Sequence, residues 1–313
     1  MTDEARSEYR RYLDPSVLAR IGSLELRARL MVEGFFTGMH RSPYRGLSIE
    51  FADHRAYTQG DDLRHIDWKV FGRTDKYYIK EYDQETNLNL VLAVDCSESM
   101  SYRSAQAAMS KYEYASSLAA AIAYLALRQQ DAVGLALFDE GIRELLRPSN
   151  HQHQWRTVAG ELSRPTGPAK TSVGRVLAEL AERLSNRALV ILISDLFDEQ
   201  ERILWGLRLL RYRHHEAIVW SVWDPAELTF PFRGSTLFDG LESAGRLLAE
   251  AGSLRARYLE EVDRFADELR MGCGRLQVDF AQFDSSASLG PGLATYLATR
   301  SARLRHRSSR VLK

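Results

Sequence analysis

The sequence predicts an α/β protein: a doubly wound, mostly parallel sheet behind an N-terminal extension that contains short strands. Three observations predict it. Apolar runs of strand length recur through the second part of the chain. Segments of helical period, ten or more residues long, separate them. The two most apolar runs, 88–94 (LNLVLAV) and 188–194 (ALVILIS), contain no Gly or Pro and no regular polar alternation, as expected of strands covered on both faces.

Taken in order, the 88–94 run ends in a polar cluster at 95–101, and residues 111–130 form a helix with Leu118, Ile122 and Leu125 on one stripe. Residues 132–138 (AVGLALF) read as a second strand, and 142–146 as a short partner to it. Val173, Val176, Leu177, Leu180, Ala181 and Leu184 follow the i, i+3, i+4, i+7 template throughout. After the strand at 188–194, Ile203, Leu204, Leu207 and Leu210 mark a helix, and 217–222 (AIVWSV) a further strand. Leu254, Tyr258, Val262, Phe265 and Leu269 stripe a long helix. Leu276, Val278 and Phe280 alternate with Gln277 and Asp279 as on a half-wet strand, and a last helix starts after Pro291.

Composition excludes several classes. The chain has 313 residues, of which 45% are hydrophobic and 27% charged, ordinary values for a globular chain. Lys and Arg total 42 and so do Asp and Glu, so attraction to nucleic acid or an acidic membrane would need a local patch. The longest apolar stretch, 118–127, is about half the roughly 20 residues of a membrane helix, so no membrane span is expected. Asp3, Glu4 and Glu8 lie among the first arginines where a secretory leader would be apolar, and two cysteines cannot build a disulfide framework or a four-cysteine zinc site. The expected address is the cytoplasm.

Open doubly wound sheets bind ligands beyond the carboxyl ends of their strands. There the sequence places Asp95-Cys96-Ser97-Glu98-Ser99-Met100 after the first strand and Ser194-Asp195-Leu196 after another, with Lys170-Thr171-Ser172 ahead of the best helix. Two carboxylates and several hydroxyls, without histidine or thiolate, suit a hard divalent cation: Mg²⁺ first, Mn²⁺ or Ca²⁺ also. Taken alone, Asp95, Ser97 and Ser99 read equally well as turn and cap residues.

Asp-x-Ser-x-Ser after a buried strand, a Thr opening a later helix and an Asp ending a third strand resemble the metal-ion-dependent adhesion site of von Willebrand factor A domains. The resemblance implies that Ser97 and Ser99 bind the metal through their hydroxyls, that Thr171 is a third ligand, direct or through water, and that Asp95 and Asp195 hold coordinated waters. A cation with mostly neutral protein ligands keeps its charge and seeks a carboxylate on another molecule, which implies binding rather than turnover. The chain departs from the pattern at Ser194-Asp195-Leu196, where Thr-Asp-Gly is usual, and at Glu98, where a small residue is commoner. Thr166 and Ser172 compete with Thr171; Thr-x-x-Gly-x-x-Leu (Thr171, Gly174, Leu177) matches the family's spacing.

Residues 1–87 form the extension, 88–299 the von Willebrand A-like domain and 300–313 a basic tail. Within the extension, 47–51 reads as a strand, Gly60-Asp61 as a turn and 77–82 (YYIKEY) as a second strand. The run Gly60-Asp-Asp-Leu-Arg-His-Ile-Asp-Trp68, together with Asp224-Pro-Ala-Glu227 and Phe230-Pro-Phe232, resembles the prokaryotic family called domain of unknown function fifty-eight, over roughly residues 25–300. That resemblance implies partnership with a MoxR-type AAA+ ATPase in assembling or activating client proteins. An alternative is a metal-dependent hydrolase using Asp95, Ser97 and Ser99, or the polar cluster of Asp53, His54, Asp61, Asp62, His65 and Asp67. Arginines and Lys69 interleave that cluster, which favours ion pairs over catalysis. Cys96 lacks the Arg six residues on that a cysteine phosphatase loop needs, no phosphate loop or nucleophile elbow occurs, and the tail's six basic residues read as a solvated end rather than a nucleic-acid arm.

Overall fold

The structure, a computed structural model, describes residues 13–39, 54–56, 72, 77–80, 88–240 and 245–298. Its centre is a six-stranded sheet of β3 (Asn89–Asp95), β4 (Ala132–Phe138), β5 (Ile142–Ser149), β6 (Leu189–Ser194), β7 (Glu216–Trp223) and β10 (Asp279–Asp284), in the order β10-β7-β6-β3-β4-β5. All neighbours are parallel except β4 and β5. The doubly wound, mostly parallel α/β sheet expected from the sequence is therefore what the chain forms.

Both faces of the sheet are covered, which is why its inner strands β3, β4, β6 and β7 read as apolar, whereas the edge strands β5 and β10 are mixed. In β3, Leu90, Leu92 and Val94 face one core while Val91 and Ala93 face the other. On the first face lies α3 (Lys111–Arg128), an alanine-rich helix started by a reciprocal Ser110–Glu113 capping box. Against it pack α2 (Leu24–Met39), α4 (Gln154–Leu162) and a helix over 290–298. On the second face lie α5 (Val173–Arg183), α6 (Gln200–Tyr212) and α8 (Ala251–Arg275). The α5–α6 crossing is close because both helices carry glycine at it: a Cβ on Gly174 would sit 2.5 Å from the Arg202 carbonyl oxygen, and one on Gly206 2.8 Å from the Gly174 carbonyl oxygen.

The β5 edge is irregular. Its pairing with β4 slips between Val133 and Leu135 and again between Leu137 and Phe138, and Pro148 sits in the first slip, where no ladder hydrogen bond is asked of it. Gly134 makes room there, since a Cβ would meet the Leu146 carbonyl oxygen at 2.7 Å.

Several elements differ from expectation. β5 runs to Ser149, past the expected 146. The last strand starts at Asp279 rather than 276, because Gln277 (φ 53°) makes a left-handed turn as α8 ends. Helices α2 and α4, the short α1 (Pro15–Leu18) and α7 (Pro225–Thr229), and a hairpin of β8 (Ser235–Asp239) and β9 (Arg246–Glu250) escaped the apolar pattern. In the extension, β1 (His54–Ala56) pairs antiparallel with β2 (Tyr78–Lys80), which falls within the expected 77–82 strand. The expected strand at 47–51, the 60–68 run, the acidic residues of the 53–67 cluster and the tail 300–313 lie outside the described residues. Among the described residues, no helix is long and apolar enough to cross a membrane.

The sheet order reverses at β3, which has β4 on one side and β6 on the other. The crevice of such a sheet opens at the carboxyl ends of these two strands. Asp95 ends β3, and Ser194-Asp195 ends β6.

Candidate functional site

Three loops meet at that crevice. The first leaves β3 through Asp95 and turns into a short 3₁₀ helix, Ser99–Ser101. Backbone bonds fix its path: the Cys96 amide donates to the Phe138 carbonyl (2.8 Å) and the Glu98 amide to the Ala169 carbonyl (3.0 Å). The Asp95 carboxylate then gathers the others. One oxygen accepts the Ser97 amide (2.9 Å); the second accepts the hydroxyls of Thr171 (2.8 Å) and Ser194 (2.6 Å). The Ser97 and Ser99 hydroxyl oxygens lie 3.1 Å apart. Asp95, Ser97, Ser99, Ser194 and Asp195 are all buried. Of the three hydroxyl candidates ahead of α5, Thr171 is the one whose bond to Asp95 ties that loop to the site.

Burial, and then the negative charge of Asp195, push the Asp95 carboxyl up to about 7; the Ser194 hydroxyl and the Ser97 hydroxyl and amide offset this only in part. The groups bonded to Asp95 are hydroxyls and an amide, none of them a cation. A buried carboxylate with that environment, beside converging neutral oxygens, fits a hard cation, because such an ion supplies the missing positive charge.

Asp195 is held differently. One of its oxygens accepts from the Lys111 ammonium at 2.9 Å, and the other from the Phe197 amide at 3.3 Å. Lys111 also reaches Glu227 at 2.7 Å, and its side chain is fully buried. Burial works against the ammonium, but the charges of Asp195 and Glu227 outweigh it and hold Lys111 above the ordinary lysine range. The second Glu227 oxygen accepts the Asp224 amide (2.8 Å), and Asp224 accepts the Ser104 amide (2.9 Å). The end of β7 thereby joins the ends of β3 and β6 in one polar network. Lys111 lies 4.7 Å from the centre of the Phe197 ring, which packs edge-on against Trp223.

Lys111 and Ser194 were absent from the site residues expected from sequence. Ser194 takes the place of the family's Thr, with its hydroxyl on Asp95. Lys111 had a signal: a lysine in the first turn of a buried helix opposes the helix dipole, so it needs carboxylates nearby. Cys96, by contrast, is a buried thiol pushed up to about 11, first by burial, and is no nucleophile. Among the described residues no group of three His, Cys, Asp or Glu side chains could hold a metal ion, so any ion here would rest largely on hydroxyl oxygens. Thr171 lines a cleft of about 960 Å³ together with Phe197, Trp223, Tyr258 and Phe265 and with charged residues of both signs, Glu268 and Arg264 among them.

A profile for the family described as "Protein of unknown function DUF58" matches residues 53–267. The chain belongs to the DUF58 family. Among curated relatives, an uncharacterized protein of Mycobacterium tuberculosis, Rv1480, is 29% identical over 237 residues, covering 74% of this chain and 72% of the relative. An uncharacterized protein of Mycobacterium bovis, Mb1516, matches to the same extent. Among solved structures, the conserved hypothetical protein BatB from Bacteroides thetaiotaomicron superposes on this DUF58 chain with a TM-score of 0.45 at 13% identity, over 69% of this chain and 99% of that one.

Proposed function

We propose that this DUF58 protein is a metal-dependent interaction adaptor that works with a MoxR-type AAA+ ATPase, engaging the ATPase or its client in the assembly or activation of other proteins. The observation that carries the reading is that the Thr171 hydroxyl and the Ser97 amide both donate to one buried carboxylate, Asp95, at the sheet's switch point, with the Ser97 and Ser99 hydroxyl oxygens 3.1 Å apart in the same loop. In this reading Ser97 and Ser99 bind Mg²⁺ through their hydroxyls, Thr171 is a third ligand, and Asp95 and Asp195 orient the remaining coordination. The cation supplies a charged centre that accepts an acidic side chain from the partner. The protein's own residues hold that centre in place, and the cleft beside Thr171 receives the residues flanking the partner's acid. Binding, rather than turnover, is the reading supported by a cation whose nearest protein ligands are neutral hydroxyls, since it keeps its charge for a carboxylate on another molecule.

Isothermal calorimetry with Mg²⁺ and Mn²⁺ on the full chain tests the metal. Wild type gives a saturable heat, and the Ser97→Ala, Ser99→Ala double variant loses it. No heat from either protein removes the metal. Co-purification with the MoxR-type ATPase, with and without a chelator, tests the partner: an association that the chelator dissolves is expected, and one indifferent to chelation is evidence against a role for the cation in it.

A further inference from the structure

We propose that Lys111 is a positioning residue of this site, an internal ammonium that holds Asp195 and neutralises it, so that a bound divalent cation stays positive enough to take a carboxylate from a partner. The inference rests on the metal reading above and explains how the site can be tuned for it.

Lys111 is otherwise hard to account for. Its side chain is fully buried, and dehydrating an ammonium is costly. It sits in the first turn of α3, where the helix dipole disfavours positive charge. Capping does not require it, since Ser110 and Glu113 already complete the cap. What holds it is the carboxylate pair, Asp195 at 2.9 Å and Glu227 at 2.7 Å. Asp195 meets Lys111 through one oxygen and the Phe197 amide through the other, so both are engaged on the β6–β7 side of the crevice. Its charge nonetheless reaches Asp95.

Two effects follow for a cation placed among Ser97, Ser99 and Thr171. A buried positive charge close by lowers its affinity. Because Asp195 is shared with Lys111, less negative charge remains to quench the cation, so its pull on an outside carboxylate rises. The sign of the first effect separates this role from a merely structural one. Losing a structural lysine would loosen the loops and weaken metal binding; losing an opposing charge strengthens it.

Mn²⁺ titration of the full chain, followed by electron paramagnetic resonance of free Mn²⁺, reads that sign. Lys111→Met is expected to tighten Mn²⁺ binding roughly tenfold or more, the scale of one unit charge at close range in a partly screened interior. Lys111→Arg keeps the charge and stays within about threefold of wild type. Acetate added to the Mn²⁺ form, read by water-proton relaxation, should saturate at higher concentration in Lys111→Met than in wild type. Should Lys111→Met fail to fold, Lys111→Gln carries the test: it keeps a polar side chain beside Asp195 and Glu227 without the charge, and is expected to tighten Mn²⁺ binding as well. Unchanged or weaker binding in the folded charge-removing variant overturns the assignment while leaving the metal site standing. No Mn²⁺ binding by wild type or any variant overturns both.

Discussion

Ser194 and Leu196 show what the residues that depart from the resembled pattern do in this chain. The Ser194 hydroxyl donates to Asp95 at 2.6 Å and accepts the Leu196 amide at 2.9 Å, tying the end of β6 to the end of β3. Leu196 follows with φ 64°, in the left-handed region where the related pattern carries glycine, and its fully buried side chain joins the α5–α6 core. The backbone demand was visible in the family pattern; the apolar contact that accompanies the strained leucine was not. Ser194→Ala removes one bond from a buried carboxylate and leaves a buried amide without a partner, a loss of about 2–4 kcal/mol in urea denaturation. The loss depends on pH. Because Asp95 titrates at about 7 when folded, against 3.8 ordinarily, the folded chain binds more protons than the unfolded one between those values, and Asp95 lowers stability as pH rises through that window. The Ser194 bond favours the carboxylate, so its removal costs more at pH 8 than at pH 5 in chelator-treated protein. An equal loss at both pH values would show that Asp95 keeps one protonation state from pH 5 to pH 8, against a carboxyl raised to about 7.

At the scale of elements, legibility followed burial geometry. α5 was readable because one stripe meets the core while the other face is wet, and the 88–94 and 188–194 strands because five or six consecutive apolar residues fill them, with Asn89 and Ser194 confined to their ends. α2 was hidden although Leu24, Ala28, Met31 and Val32 fit a helical stripe, since Glu25, Arg27, Arg29 and Glu33 interleave that narrow face. Alternation at 276–280 misled, because Leu276 caps α8 and Gln277 turns before the strand begins. The glycine in Thr171-x-x-Gly174 was legible as spacing; its cause is the Arg202 backbone on α6. Gly174→Ala pushes a methyl into main-chain atoms that cannot rotate away, so α5 and α6 must separate. A loss of about 1–3 kcal/mol in urea denaturation, with far-UV circular dichroism preserved, is expected. Wild-type stability in that variant would mean the two helices sit further apart.

For the whole molecule, the sheet and the described helices share two cores, and the N-terminal α2 contributes to one of them. Met31 and Val32 are buried in the same cluster as β3, α3 and the 290–298 helix. Composition shifts near residue 88, but packing does not stop there. Met31→Ala should lower stability by about 2–5 kcal/mol, with tryptophan fluorescence and circular dichroism melting together. Two separate transitions would show that the extension folds by itself. The site was half legible: motif order placed Asp95, Ser97, Ser99, Thr171 and Asp195 at the strand ends, whereas Lys111, sixteen residues from Asp95 in the chain, joins them only once α3 folds back across the sheet. The broken β5 edge bears on how this molecule meets others. With its register slipped twice and Pro148 lacking an amide hydrogen, that border gives an incoming strand no even ladder to extend. Recruitment by β-augmentation, the usual hazard and opportunity of an open sheet, is blunted on that side, which leaves the loop-bearing rim as the favoured point of approach.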